Sequence, residues 1–130
     1  MKFLSEEWTK KHKEMLETQF NKENRNNVEL VEIYENCYGE DITIWISYKM
    51  VDGKLAHLER GEGEDKIPEA TFRSFGDYED YVAVCKGQLD PKKGIMTGKF
   101  TLEGNLLKAM AMLGTYMKVN ECKKFPEIEF

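Results

Sequence analysis

Apolar and polar positions along this chain repeat first with a helical period and then with a period of two. Trp8, His12, Met15, Leu16 and Gln19 recur at helical spacing, with Lys10, Lys13, Glu14 and Glu17 on the other side. Ser5 stands where an N-cap belongs, and Glu6 and Glu7 fall in the first turn, where the helix dipole favours acids. The pattern predicts an amphipathic helix to about residue 22, broken by Asn24, Asn26 and Asn27. Val28 to Glu35 (VELVEIYE) then reads as a strand. In the next strand Ile42, Ile44, Ile46, Tyr48 and Met50 alternate with Thr43, Trp45, Ser47, Lys49 and Val51. Asp52-Gly53 suits a two-residue hairpin turn, with a return strand from Lys54 to about Arg60. Regular pairing through that turn sets Leu55 opposite Met50 and His57 opposite Tyr48, and puts Ala56, Leu58 and Trp45 on the other face. The first face is the more apolar, so Ile44, Ile46 and Tyr48 are expected to point inward and Trp45 outward.

The second half carries its own punctuation. After the loop Gly61-Glu62-Gly63-Glu64-Asp65, Ala70 to Phe75 reads as a strand, with Ala70 and Phe72 on one face. Asp77 caps a helix from Tyr78 to about Lys86, and Gly87 stops it. Asp90-Pro91 starts a helix of one or two turns. Lys99 to Glu103 is a strand with Phe100 and Leu102 facing in, and Asn105 caps a final helix. On that helix Leu113, Leu106, Met117, Met110, Gly114 and Leu107 fall within an arc of about 120°, widened on one flank by Ala109, Tyr116 and Met112, with Lys108, Thr115 and Lys118 opposite. Core packing accounts for such a stripe; so does a helix roofing a cavity, because methionine adapts to irregular partners. From Val119 to Phe130 the helical pattern fades, and Phe125, Ile128 and Phe130 are expected to fold back onto the body.

Composition narrows the classes. A chain of 130 residues, 41% hydrophobic and 33% charged, suits one domain with its own core. No run reaches the roughly 18 apolar residues of a membrane span, and no signal-peptide core, lipidation box or targeting tripeptide stands out, so the expected location is cytoplasmic. A net charge of −5 without a basic run argues against a nucleic-acid partner. Cys37, Cys85 and Cys122 are too few and too scattered for a disulfide framework. His12 and His57 are equally scattered, so neither a metal nor a cofactor is expected.

Three blocks of the second half together resemble the sterol-carrier-protein type 2 family. They are Glu69-Ala70-Thr71-Phe72-Arg73-Ser74-Phe75; the helix end Lys86-Gly87 followed by Asp90-Pro91; and Gly98-Lys99-Phe100, Leu102, Gly104-Asn105-Leu106, Ala109-Met110. The resemblance runs from about Ile42 to Met117. It implies an α+β fold in which a five-stranded, mostly antiparallel sheet is covered on one face by helices, with an apolar tunnel between the layers. It implies a lipid or fatty-acid ligand and no catalytic residues. The expected wall comprises Ile44, Ile46, Tyr48, Phe72, Tyr81, Cys85, Met96, Phe100, Leu102, Leu106, Met110, Leu113 and Met117.

Each candidate has a plainer reading beside it. Tyr48, His57 and Tyr81 could orient a head group, yet buried tyrosines are ordinarily core residues with a bonded hydroxyl. Cys85 reads as a small buried hydrophobe. Trp45 would mark a homodimer or partner surface if outward, although single exposed aromatics are common. Lys92 and Lys93 read as solvated surface, with transient membrane contact as the alternative. Two rivals to a carrier are expected to be tested by the fold. One is an interaction module whose cavity is filled by Phe72, Phe100, Met96 and Met110; the other is an enzyme built on His57 with Glu59 or Tyr48.

Overall fold

The computed structural model describes residues 1–19 and 27–130, with the backbone alone for 19 and 106–111. Helix α1 spans Glu6–Gln19. Its expected last turn, and two of the asparagines expected to end it, lie outside the described residues. Strand β1, Val28–Glu35, is the middle of the sheet. It pairs antiparallel with β2, Ile44–Val51, which pairs antiparallel with β3, Lys54–Glu62. On its other side β1 runs parallel to β4, Phe72–Asp77, which pairs antiparallel with β5, Phe100–Glu103. The order β3-β2-β1-β4-β5 is the mostly antiparallel five-stranded sheet expected. Helices α2 (Tyr78–Cys85), α3 (Pro91–Met96) and α4 (Leu106–Glu121) complete the fold.

Local chemistry explains the element ends. Asp77 and Asp90 cap α2 and α3 by accepting from the Glu79 and Lys92 amides, each at 3.0 Å. Asp52 (φ 52°) and Gly53 (φ 77°) form the β2–β3 turn. Beyond that turn the pairing departs from the regular one. Met50 opposes Leu55, but Lys49 opposes His57 and Tyr48 opposes Leu58, because Ala56 is an extra residue in the ladder. The bulge swaps the expected faces. Leu58 packs on the core, while His57 and Glu59 point to solvent, each 58% exposed.

The inner face of the sheet is built from Leu30, Ile44, Ile46, Tyr48, Phe72 and Phe100, all buried with α1, α2 and α4 packed over it. The outer face is not bare. Val31, Ile33 and Trp45 form a second cluster under Ile67, Ala70 and Phe75. Trp45 is 6% exposed, so the expected dimer or partner surface at this residue is corrected: the chain leading into β4 covers it. Ala70 therefore lies on the face opposite Phe72, and β4 begins two residues later than expected.

Helix α4 keeps the flank residues Met112 and Tyr116 of the expected stripe inside but corrects its centre. In its second half Met112, Thr115, Tyr116, Val119 and Asn120 are buried, whereas Leu113 and Met117 are half-buried and Gly114 is exposed. The buried arc is thus rotated by roughly 150° from the leucine–methionine arc, at 100° per residue. Thr115, expected on the solvent side, is inside. The helix also runs to Glu121. Its buried face continues as Tyr116, Val119, Asn120 and then Lys123, a helical repeat disguised by two polar residues. The rest of the tail folds back as expected. Phe125 stacks on Trp8, Phe130 packs on Phe3, and Lys2 bridges to Glu129.

Gly94 holds α3 against β5. A Cβ there would sit 2.4 Å from the Phe100 ring, which is itself buried. Alanine ordinarily favours a helix by up to about 1 kcal/mol over glycine. Here overpacking outweighs that gain, so Gly94→Ala is expected to lower stability by about 1–3 kcal/mol in urea unfolding. Met96, expected in the wall, stands 79% exposed near the end of α3 and is no part of the interior, which corrects that expectation.

Candidate functional site

The space between sheet and helices holds two kinds of chemistry. One is aromatic: Tyr34 lies 4.4 Å from Tyr81, and Tyr81 lies 4.5 Å from Phe100, centroid to centroid. The other is polar, and sequence reasoning missed it. Glu32, at the centre of β1, and Lys123, just past α4, are each 0% exposed and form an ion pair with Nζ 2.8 Å from Oε2. Lys123 also donates to Asn120 Oδ1 at 2.7 Å, and its ammonium sits 4.7 Å from the Tyr81 ring centroid and 5.2 Å from that of Tyr34. Burial lowers the Lys123 pKa, and the Glu32 charge offsets part of that shift. The strand register placed a carboxylate inside in plain view. Val28, Leu30, Glu32 and Tyr34 share a face in VELVEIYE, and that alternation was the available signal.

A second polar knot ties three elements together. The His12 Nδ1–H donates to the Cys122 carbonyl at 2.7 Å, which leaves Nε2 to accept from the Tyr48 hydroxyl at 2.8 Å. Burial pushes the His12 pKa down to about 3, so the imidazole is neutral. A third set joins Ser74 Oγ to the hydroxyls of Tyr81, at 3.0 Å, and Tyr116, at 3.3 Å. Burial, and next the Glu32 charge, raise the Tyr34 pKa well above its ordinary value.

Satisfaction is incomplete. Among the described residues, Glu32 Oε1 and the Tyr34 hydroxyl are buried without a hydrogen-bond partner, as are the Trp8 and Trp45 indole N–H groups and the Tyr78 hydroxyl. Glu32 and Tyr34 are neighbours on the inner face of β1, and the Tyr48 hydroxyl feels both. Such groups cost on the order of 1–3 kcal/mol each when left unmade, and the nearby Tyr48 hydroxyl is the group in reach of Glu32 and Tyr34.

A cleft of about 260 Å³ opens between the α2–α3 turn and the end of α4, lined by Gly87, Leu89, Asp90, Pro91, Met117, Asn120, Glu121 and Lys124. Asn120 belongs to both the cleft and the buried cluster. A second cleft of about 260 Å³ lies at the start of β1, lined by Asn27, Val28, Glu29, Lys49, Met50, Val51 and Thr71.

The structure distributes the expected wall residues unevenly. Ile44, Ile46, Tyr48, Phe72, Tyr81 and Phe100 are buried under the helices, with Cys85, Leu102, Leu113 and Met117 half-buried around them. Burial raises the Cys85 pKa to about 11, which keeps it a thiol. The side chains of Leu106 and Met110 lie outside the described residues. Tyr48 and Tyr81 spend their hydroxyls on His12 and Ser74. His57 pairs with Glu59 at 3.5 Å, but on the solvent side of β3, away from any wall. Among the described residues no group of three or more His, Cys, Asp or Glu could hold a metal ion, and no helix is long and apolar enough to cross a membrane.

Solved structures share this fold. A crystal structure of sterol carrier protein 2 superposes with a TM-score of 0.77 at 17% identity, covering 93% of this chain and 96% of that one. A conserved hypothetical protein from Thermus thermophilus gives 0.69 at 18% identity, covering 95% and 92%. The palmitated sterol-carrier-like SCP2L2 of Aedes aegypti gives 0.55 at 13% identity, covering 89% and 94%. Among curated proteins no sequence matches this chain. The sequence pattern of one family matches residues 17–115, from the end of α1 through β5 into α4, and on that match the chain belongs to the SCP-2 sterol transfer family.

Proposed function

We propose that this protein binds a lipid or other long-chain apolar ligand between its sheet and its helices, and carries it between membranes without chemistry of its own. The observation that carries this reading is the family match over most of the chain, on a fold that layers helices over one sheet face. The Aedes aegypti relative, described as palmitated, supports an acyl occupant for this architecture. The cleft beside Met117 is the natural mouth. Its volume of about 260 Å³ sits just under the roughly 300 Å³ at which small-ligand pockets begin.

Transfer energetics fit such a site. Burying about fifteen methylenes is worth roughly 12 kcal/mol against water. A ligand that leaves a bilayer has already made that gain, so most of it cancels. The carrier needs a wall about as apolar as lipid and an opening that moves at low cost. Ile44, Ile46, Phe72, Phe100, Leu113 and Met117 are suited to that wall.

The packed ring cluster of Tyr34, Tyr81 and Phe100 favours a second reading, an interaction module that kept the fold and filled the interior. Native purification, solvent extraction and mass spectrometry separate the two. Stoichiometric lipid supports the carrier. Clean apoprotein that also fails to bind a fluorescent fatty acid supports the module. The cleft gives a further check: Met117→Trp is expected to weaken fluorescent-lipid binding tenfold or more while changing stability little, because Met117 is only half-buried.

A further inference from the structure

We infer that the outward face of α3 docks this protein on an anionic bilayer surface and so sets the cleft beside Met117 against the membrane. The assignment rests on the carrier reading above and names the face through which ligand is exchanged. Helix α3 has two sides. Pro91 and Gly94 are buried and Ile95 is half-buried, with Gly94 set close against the Phe100 ring. At 100° per residue Lys92, Met96 and Lys93 fall, in that order, within an arc of about 100° on the opposite side. All three are exposed, and Met96 is the most exposed large apolar side chain among the described residues. Packing accounts for the inner side and gives no role to a methionine set between two lysines.

Charge selects the partner. Residues 86–99 hold four lysines and one acid, in a chain whose formal net charge is −5. That acid, Asp90, is engaged as the cap of α3. Lys99 lies 3.5 Å from Asp80, while Lys92 and Lys93 have no ion-pair partner among the described residues. Salt limits exposed charges to a range of about 8 Å, so an approaching surface meets this local excess rather than the net charge of the chain. An anionic bilayer answers both chemistries: its head groups take the lysines, and its interface takes the methionine between them. Helix α1 offers no such face, because its four acids outnumber its three lysines and its Trp8 and Leu16 are buried. The face is also continuous with the cleft, since Asp90 and Pro91 line the cleft and Pro91 opens α3. The rise from Pro91 to Met96 is about 8 Å, so a bilayer that takes Met96 into its head groups lies close to the opening.

The test is co-sedimentation of the full chain with vesicles of phosphatidylcholine alone and of phosphatidylcholine with roughly 30% phosphatidylserine. The wild type is expected to bind the anionic vesicles about tenfold more tightly or better, and high salt to erase the difference. Lys92→Gln/Lys93→Gln changes two exposed side chains and is expected to weaken that binding about tenfold or more. Lys10→Gln/Lys13→Gln on α1 is the control, expected to stay within about twofold, because those lysines lie off the docking face. Met96→Trp supplies a reporter: its emission is expected to shift to the blue with anionic vesicles, over a constant background from the buried Trp8 and Trp45. Equal binding to the two vesicle types overturns the docking face, as does a Lys92/Lys93 variant that binds like the wild type or an α1 variant that loses as much. A wild type that ignores both vesicle types also overturns it, and leaves the basic face to an acidic protein. Uptake of a fluorescent fatty acid from vesicle-free solution reads the carrier separately. Lys92 and Lys93 do not line the cleft, so their variant is expected to keep that uptake. Docking without uptake overturns the carrier reading and keeps the docking face; uptake without docking does the reverse.

Discussion

Replacing Lys123 by methionine alone is expected to cost about 3–5 kcal/mol of folding stability. The reason is location. Glu32 is 0% exposed, and among the described residues its only hydrogen-bonded counter-ion is Lys123 Nζ. Without that ammonium the carboxylate keeps its desolvation cost and loses its compensation. A chain of this size has on the order of 5–15 kcal/mol in total, so the variant would approach the threshold of folding. Replacing both partners gives a milder outcome. In Glu32→Leu/Lys123→Met no buried charge remains, although the buried Asn120 side-chain oxygen loses its partner. The double variant is expected to recover most of that loss, lying within about 1–3 kcal/mol of the wild type. Urea unfolding of both single variants and the double variant decides the matter. A Lys123→Met protein as stable as the wild type would show that the pair is not buried as described.

Acidification is expected to destabilise the fold from about pH 6.5 downward, and His12 is the cause. Its ordinary pKa is 6.5 and its folded value is about 3. Between those values the unfolded chain binds a proton at this site and the folded chain does not. Stability therefore rises with pH across that window, and falls by up to about 1.4 kcal/mol per unit as the pH drops from 6.5 toward 3. From pH 6.5 to pH 4 the loss attributable to His12 is about 3 kcal/mol. Protonation would oblige Nε2, which accepts from Tyr48, to become a donor, and would place a second cation near Lys123. His12→Gln keeps a donor and an acceptor on a neutral side chain. It is expected to flatten the slope between pH 6.5 and 4 in thermal or urea unfolding, even if it lowers stability at pH 7. An unchanged slope would exclude His12 as the acid-sensitive group.

These two side chains also mark where reading the sequence stops. Both polar knots join α1, β1 or β2 to the segment around residues 120–123, which fades from the helical pattern. Hydropathy sends Lys123 and Glu32 to the surface, because a lone charge has no reason to be buried. The reason exists only once the partner is known, and the partner lies 91 residues away. The rotation of α4 follows from the same fact. Its leucine–methionine arc is the more apolar, but the arc of Thr115, Tyr116, Asn120 and Lys123 has specific partners inside, in Ser74 and Glu32 among them.

What the sequence by itself determined is the list and order of elements, the capping of α2 and α3 by Asp77 and Asp90, and the inward set Ile44, Ile46, Tyr48, Phe72 and Phe100. Those features depend on periods of two and 3.6 and on residues near one another in the chain. The tertiary structure alone decided three things: the bulge at Ala56 that turns His57 and Glu59 to solvent, the covering of Trp45 by the chain that leads into β4, and the buried Glu32–Lys123 pair. The last two are contacts between segments distant in the chain, and the bulge depends on how its hairpin packs against the rest; the free energy of burying a charge or turning a strand face depends on what meets it.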